Sequence, residues 1–157
     1  IWLVGVYSYR DDQFIQIFEK DDEAELLDTY IDYLRDHDDP AVVYYGNNRF
    51  DEECLKQRME AHEMREGIQL MDNSFDLGIE VNNNLLGSFR RTNLGSLSKE
   101  LADYEYSYPE IDGFIVGSQY TRYLLDDEEP NWDELLEYNE DDVLALKAVV
   151  DELRKLI

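Results

Sequence analysis

This sequence is organised around residues 131–157, which are NWDELLEYNEDDVLALKAVVDELRKLI. The apolar residues of this stretch recur at helical spacing, which predicts an amphipathic helix with one buried stripe. The stripe consists of Leu135, Val143, Leu146, Val149, Val150 and Leu153. Two residues within it are not aliphatic, namely Tyr138 and, one turn later, Asp142. On a helical wheel Asp142 lies within about 20° of Leu135, whereas Glu140 and Asp141 are expected to face solvent.

A carboxylate on an inward face is costly unless hydrogen bonds or a cation offset its desolvation. Two interpretations of Tyr138 and Asp142 remain open at this point. They are either a structural pair, in which the tyrosine hydroxyl binds the aspartate, or a site in which Asp142 binds a metal ion. In the second case the phenol of Tyr138 would orient an attacking water molecule.

The composition indicates one globular domain covering residues 1–157, because 43% of the 157 residues are hydrophobic. No apolar run is long enough for a membrane span. The single Cys54 fits a reducing cytoplasm and, with only His37 and His62, argues against a zinc site. Any metal ion would therefore be held by oxygen ligands, which favours Mg²⁺ or Mn²⁺.

The net charge of −24 is the most unusual total. It indicates either a generally acidic surface or a halophilic protein from a high-salt cytoplasm, where salt screens self-repulsion. The distinction matters because a strongly negative protein repels nucleic acid at low salt. In molar salt the Debye length is about 3 Å, so local chemistry decides what binds.

The order of predicted elements is that of an α/β protein with at least one parallel strand pair. A strand over residues 1–9 forms a hairpin with residues 14–18, and a helix over residues 22–35 leads to a strand over residues 41–45. A second helix covers residues 51–66 and is expected to end at Gly67. Short helices are predicted over residues 98–104 and 118–125.

Asp51 follows the strand AVVYY and begins the second helix. One interpretation is an acid that stabilises the N-terminal end of a helix. The other is a ligand, since strand ends in α/β sheets commonly form binding sites. In that case Asp51 and Asp142 would share divalent cations.

The least acidic part of the sequence spans residues 82–99 and contains Arg90, Arg91 and Lys99. Together with Arg122, these residues either line a path for phosphate groups or are ordinary surface cations.

Three strings, LVGVY, VVYYGNNRFD and EYNEDDVLAL, resemble the RNase H-like, DnaQ-type DEDD 3′–5′ exonucleases. The YprB-type predicted nucleases are the branch that the sequence resembles most. The Tyr-x-x-x-Asp spacing of Tyr138 and Asp142 is similar to the family's third exonuclease motif. Gly46-Asn47 followed by Phe50-Asp51 is similar to its second motif, with the first pair in reversed order.

The resemblance implies an RNase H-like mixed sheet flanked by helices, and hydrolysis assisted by two Mg²⁺ or Mn²⁺ ions. It makes Asp51 and Asp142 metal ligands, Tyr138 a catalytic residue and Asn47 a contact to nucleic acid. The family's first motif, Asp-x-Glu, belongs to the strand before LVGV and is absent from this sequence, which begins at Ile1. We expect that motif and its central strand to lie upstream, and we expect residues 1–157 alone to bind metal weakly and to be inactive.

Two functions follow as hypotheses. The first is a metal-dependent 3′–5′ exonuclease that acts on the 3′ end of single-stranded DNA or RNA. It would serve in DNA repair, beside a helicase or RecB-like module. The alternative is a degenerate, non-catalytic RNase H-like module that binds nucleic acid or a protein partner. A membrane partner is not expected.

Overall fold

The computed structural model describes residues 1–38, 40–45, 50–81, 83 and 93–155. These residues form four strands and seven helices, so the predicted α/β class is confirmed. In chain order the elements are β1 (Leu3–Ser8), β2 (Gln13–Phe18), α1 (Glu23–Asp36), β3 (Val42–Tyr44), α2 (Phe50–Ala61), α3 (Arg65–Leu70), β4 (Ser74–Asp76), α4 (Leu77–Glu80), α5 (Leu94–Ala102), α6 (Gly113–Asp126) and α7 (Trp132–Arg154). No helix of the described residues is long and apolar enough to span a membrane.

The described strands form two sheets of two strands each. β1 pairs with β2, and their four-residue connection can join only antiparallel neighbours. β3 and β4 are parallel, with Val42 opposite Ser74 and Tyr44 opposite Asp76. The predicted hairpin and the predicted parallel pair are therefore both present.

The chain divides into two compact units. Unit 1 consists of Ile1–Val4 and Gln16–Leu94, and unit 2 of Gly5–Ile15 and Gly95–Ile157. The single domain expected from the composition stays a prediction.

The core of unit 1 is centred on α1. Asp22 caps this helix by accepting a 3.1 Å hydrogen bond from the amide of Glu25, which satisfies one of the free N–H groups of its first turn. The apolar face predicted from the 3.6-residue period is the buried face, formed by Leu26, Leu27, Tyr30, Ile31 and Leu34. Helical periodicity therefore located this part of the core correctly.

The prediction of one helix over residues 51–66, ended by Gly67, was wrong. The helix ends earlier, at Ala61, and Glu63 adopts a left-handed conformation with φ of 61°. Gly67 instead lies inside α3, where it is buried against Ile31 and Met59. A Cβ atom at Gly67 would lie 2.6 Å from Cδ1 of Ile31 and 2.8 Å from Sδ of Met59. Glycine is present because Ile31 of α1 and Met59 of α2 both lie very close to the α3 backbone at this position. A sequence pattern does not reveal such a contact between helices.

Candidate functional site

The acid that is most deeply buried in α7 is Asp141, which is only 6% exposed. Its Oδ1 accepts a hydrogen bond of 2.9 Å from the Tyr104 hydroxyl, and its Oδ2 accepts one of 2.7 Å from the Ser107 amide. The expectation that Asp141 faces solvent was therefore wrong. Glu140, by contrast, is exposed as expected.

The buried face of α7 is rotated relative to the predicted stripe. Its buried residues are Leu135, Asp141, Ala145 and Val149. On a helical wheel their centre lies roughly 60–80° from that of the predicted stripe, on the side of Ala145. The difference arises because the prediction counted large apolar residues only. The prediction also took no account of the contacts that the segment from Tyr104 to Ser107 makes with Asp141.

Asp142 is half-buried, and it too accepts a hydrogen bond from a tyrosine. The Tyr106 hydroxyl donates to its Oδ1 at 2.8 Å. Burial and the nearby charge of Asp142 raise the pKa of Tyr106, so this phenol remains a donor over the physiological range. The ring of Tyr138 is also half-buried, with its centroid 6.4 Å from that of Tyr106. One aromatic side chain from outside the motif thus contacts both Tyr138 and Asp142.

The backbone of β1 approaches α7 at the helical turns that contain Tyr138 and Asp142. A Cβ atom at Gly5 would lie 2.9 Å from Cγ2 of Val143 and would also collide with the side chain of Asn139. Asn139 and Val143 each follow a residue of the pair Tyr138 and Asp142. The absence of a side chain at Gly5 of the LVGVY string therefore allows β1 to pack closely against Asn139 and Val143.

Asp51 lies in the first turn of α2, as predicted, and is exposed. The pKa of its carboxyl is raised by local desolvation and by the charge of Asp76. Asp76 ends β4, is 5% exposed and caps α4 by accepting a 3.1 Å hydrogen bond from the amide of Ile79. Because β3 and β4 are parallel, their carboxyl ends lie at one edge of the sheet, where the charge of Asp76 acts on Asp51.

Glu52 is a buried acid that the sequence gave no reason to select. It is 5% exposed and accepts hydrogen bonds from the hydroxyl groups of Tyr44 and, at 2.7 Å, Ser74. Lys56 forms a salt bridge of 2.8 Å with it. Burial alone would raise the pKa of Glu52, but the bonds from Lys56, Ser74 and Tyr44 outweigh it and lower the pKa to about 2. This network joins α2, which carries Asp51, to β3 and β4.

Of the residues predicted to line a phosphate path or contact nucleic acid, two lie within the described part of the chain, namely the exposed Arg122 in α6 and, in α5, Lys99. Its side chain is 65% exposed and forms a 2.7 Å salt bridge with Glu105, which also raises the pKa of Lys99. Asn47, Arg90 and Arg91 lie outside the described residues.

The donor atoms at Asp142 and Asp51 fit Mg²⁺ or Mn²⁺, because both ions prefer carboxylate oxygen. Among the residues that the structure describes, no three or more His, Cys, Asp or Glu side chains are grouped to hold a metal ion. Asp51 belongs to unit 1, and Tyr138 and Asp142 belong to unit 2. A site shared by Asp51 and Asp142 stays a prediction.

Comparison with known proteins gave one finding about the family. A family model described as the RNase H superfamily matches residues 1–154, which is nearly the whole chain and includes both units. No curated protein and no solved structure matches the sequence.

Proposed function

This chain belongs to the RNase H superfamily, whose members are usually nucleases, and we propose that it acts as a DEDD-type 3′–5′ exonuclease domain of the YprB branch. It would hydrolyse phosphodiester bonds at the 3′ end of DNA or RNA with divalent cations. The observation that carries the proposal is the half-buried Asp142 with Tyr138 one turn before it, because this spacing is that of the third exonuclease motif.

We assign Asp142 as a metal ligand. A partly buried carboxylate that already accepts a charge-assisted hydrogen bond is held in a fixed orientation, as ligand carboxylates usually are. Bound Mg²⁺ or Mn²⁺ would supply a Lewis acid that stabilises the charge developing on the phosphoryl group. The phenol of Tyr138 would orient the attacking water molecule.

We also assign Asp51 as a metal ligand. Asp51 follows β3 and Asp76 ends the parallel strand β4, so both carboxylates come after the carboxyl ends of neighbouring strands, where a divalent cation would offset their repulsion. The buried Glu52 stabilises the first turn of α2 and so restricts where Asp51 can lie. We assign it no contact with the substrate.

Contacts to the nucleic-acid strand are assigned to Asn47, Arg90, Arg91 and Lys99. Because Lys99 is paired with Glu105, its attraction for phosphate is partly offset at low salt. The net charge of −24 supports a halophilic origin and a high-salt cytoplasm. Nuclease activity should therefore be measured in molar salt. A helicase or RecB-like module in a DNA-repair system is the partner that we propose.

The test is a nuclease assay on the full encoded polypeptide in about 2 M KCl, where charge screening is nearly complete. A single strand labelled at its 5′ end should shorten stepwise with Mn²⁺ and remain intact with EDTA. A circular single strand should not be cut, because it has no 3′ end. Binding of the strand without shortening would favour the alternative of a non-catalytic module, and cleavage of the circle would exclude an exonuclease.

A further inference from the structure

We propose that Tyr106 is a positioning residue, which orients the carboxylate of Asp142 for a divalent cation. This inference rests on the proposed function, since it takes Asp142 to be a ligand. Tyr106 lies outside the resembled motif, 36 residues before Asp142, and its hydroxyl donates to Oδ1 at 2.8 Å.

The segment from Tyr104 to Ser107 divides its contacts between the two adjacent acids. Tyr104 and the Ser107 amide bind the two oxygens of Asp141, which is buried. Tyr106 binds Asp142, which is only half-buried. The hydrogen bonds from Tyr104 and Ser107 to Asp141 hold the segment on α7. The hydrogen bond from Tyr106 acts on the half-buried carboxylate of Asp142.

A carboxylate offers about four lone-pair positions, and the phenolic hydrogen bond from Tyr106 is directed at one oxygen, Oδ1. The bond restricts rotation of the Asp142 side chain, as an outer-shell partner does for a ligand carboxylate. The ring of Tyr106 also lies near that of Tyr138, at 6.4 Å between centroids, and near that of Tyr104, at 6.0 Å. Packing between tyrosines therefore fixes the direction from which the hydroxyl donates.

The test compares Tyr106→Phe with the matched control Tyr104→Phe, which removes an equivalent hydroxyl from the neighbouring acid. Mn²⁺ is titrated into the full encoded polypeptide in molar KCl, and paramagnetic broadening of the Tyr138 ring resonances reports binding near Asp142. We expect Tyr106→Phe to weaken this affinity about 10-fold, as loss of an outer-shell partner typically does. Tyr104→Phe should change it by less than about twofold while lowering stability, since Asp141 is structural.

An unchanged Mn²⁺ affinity in Tyr106→Phe, or an equal loss in Tyr104→Phe, would overturn the inference. An Asp142→Asn variant separates this failure from failure of the proposed function. If Asp142→Asn abolishes the broadening but Tyr106→Phe has no effect, only the inference fails. If Asp142→Asn has no effect, the ligand assignment fails and the inference fails with it. The ¹³C resonance of the Asp142 carboxyl, recorded without metal, should shift in Tyr106→Phe and not in Tyr104→Phe.

Discussion

The Tyr104 hydroxyl donates a 2.9 Å hydrogen bond to Oδ1 of Asp141, a contact between residues 37 positions apart in the sequence. With the Ser107 amide on Oδ2, it satisfies both oxygens of the acid that is buried in α7. Asp141 therefore stabilises unit 2.

Replacing Asp141 with alanine should lower the free energy of unfolding of unit 2 by about 1–3 kcal/mol, because two donors lose their acceptor. Glu140→Ala, one residue earlier on an exposed face, should change it by less than about 0.5 kcal/mol. Hydrogen exchange of the α7 amides measures both changes in the same unit. Equal effects of the two variants would mean that Asp141 is not held as described.

Replacing Gly67 with alanine should destabilise unit 1 by about 1–3 kcal/mol, because its Cβ would meet Ile31 and Met59 below 3 Å. Gly117 in α6 is the matched control, since among the described residues no atom beyond its chain neighbours and the adjacent helix backbone lies within 4 Å of a Cβ built there. Gly117→Ala should be stabilising by about 0.5–1 kcal/mol from helix propensity alone. Urea unfolding followed by hydrogen exchange in α3 and α6 measures the change in stability of each variant. A Gly67→Ala variant that is more stable than the wild type would contradict the close packing described at Gly67.

The buried Glu52 should make stability depend on pH in a defined window. Its pKa is about 2 in the folded protein against an ordinary value of 4.5, so the folded state favours the ionised form. This contribution, up to about 3 kcal/mol, is fully present above about pH 4.5 and is lost as the pH falls through about 2.

Unfolding of the wild type and of Glu52→Gln should therefore be compared from pH 7 down to about pH 2. The wild type should be more stable at neutral pH, and the difference should shrink only below about pH 4.5. A difference that stays constant across this range would show that the charge of Glu52 makes no net contribution.

Salt should stabilise the protein if its charge of −24 reflects adaptation to a saline interior. The free energy of unfolding should rise between about 0.2 M and about 2 M KCl, because screening weakens repulsion among surface carboxylates. NaCl at equal ionic strength should give the same rise, since screening does not depend on the identity of the cation. A stability that is unchanged or falls with KCl would argue against this origin.

The parts of the fold that sequence predicted correctly are those set by local periodicity. The buried face of α1 follows from the spacing of residues such as Leu27, Ile31 and Leu34, and the hairpin follows from two apolar runs around a polar turn. The same rule placed Asp142 on an inward-facing side of α7. It failed for Asp141, whose burial depends on Tyr104, 37 residues away.

The candidate site shows the same division between local and distant information. Tyr138 and Asp142 could be selected because their spacing lies within one helix. Tyr106 could not be selected, because the alternation of Tyr104, Tyr106 and Tyr108 in the sequence does not show which acid each of them contacts. Glu52 was hidden for a similar reason, since its partners Tyr44 and Ser74 come from two different strands.

The most direct test of the central claim is the Asp142→Asn variant of the full encoded polypeptide, assayed on a 5′-labelled single strand with Mn²⁺ in molar KCl. As a ligand, Asp142 should matter more than an outer-shell partner, whose loss costs about 10–100-fold. Stepwise shortening should therefore fall by more than about 100-fold, while Glu140→Gln on the same helix should retain the wild-type rate. An Asp142→Asn variant that shortens the strand as fast as the wild type would contradict the assignment of Asp142 as a metal ligand.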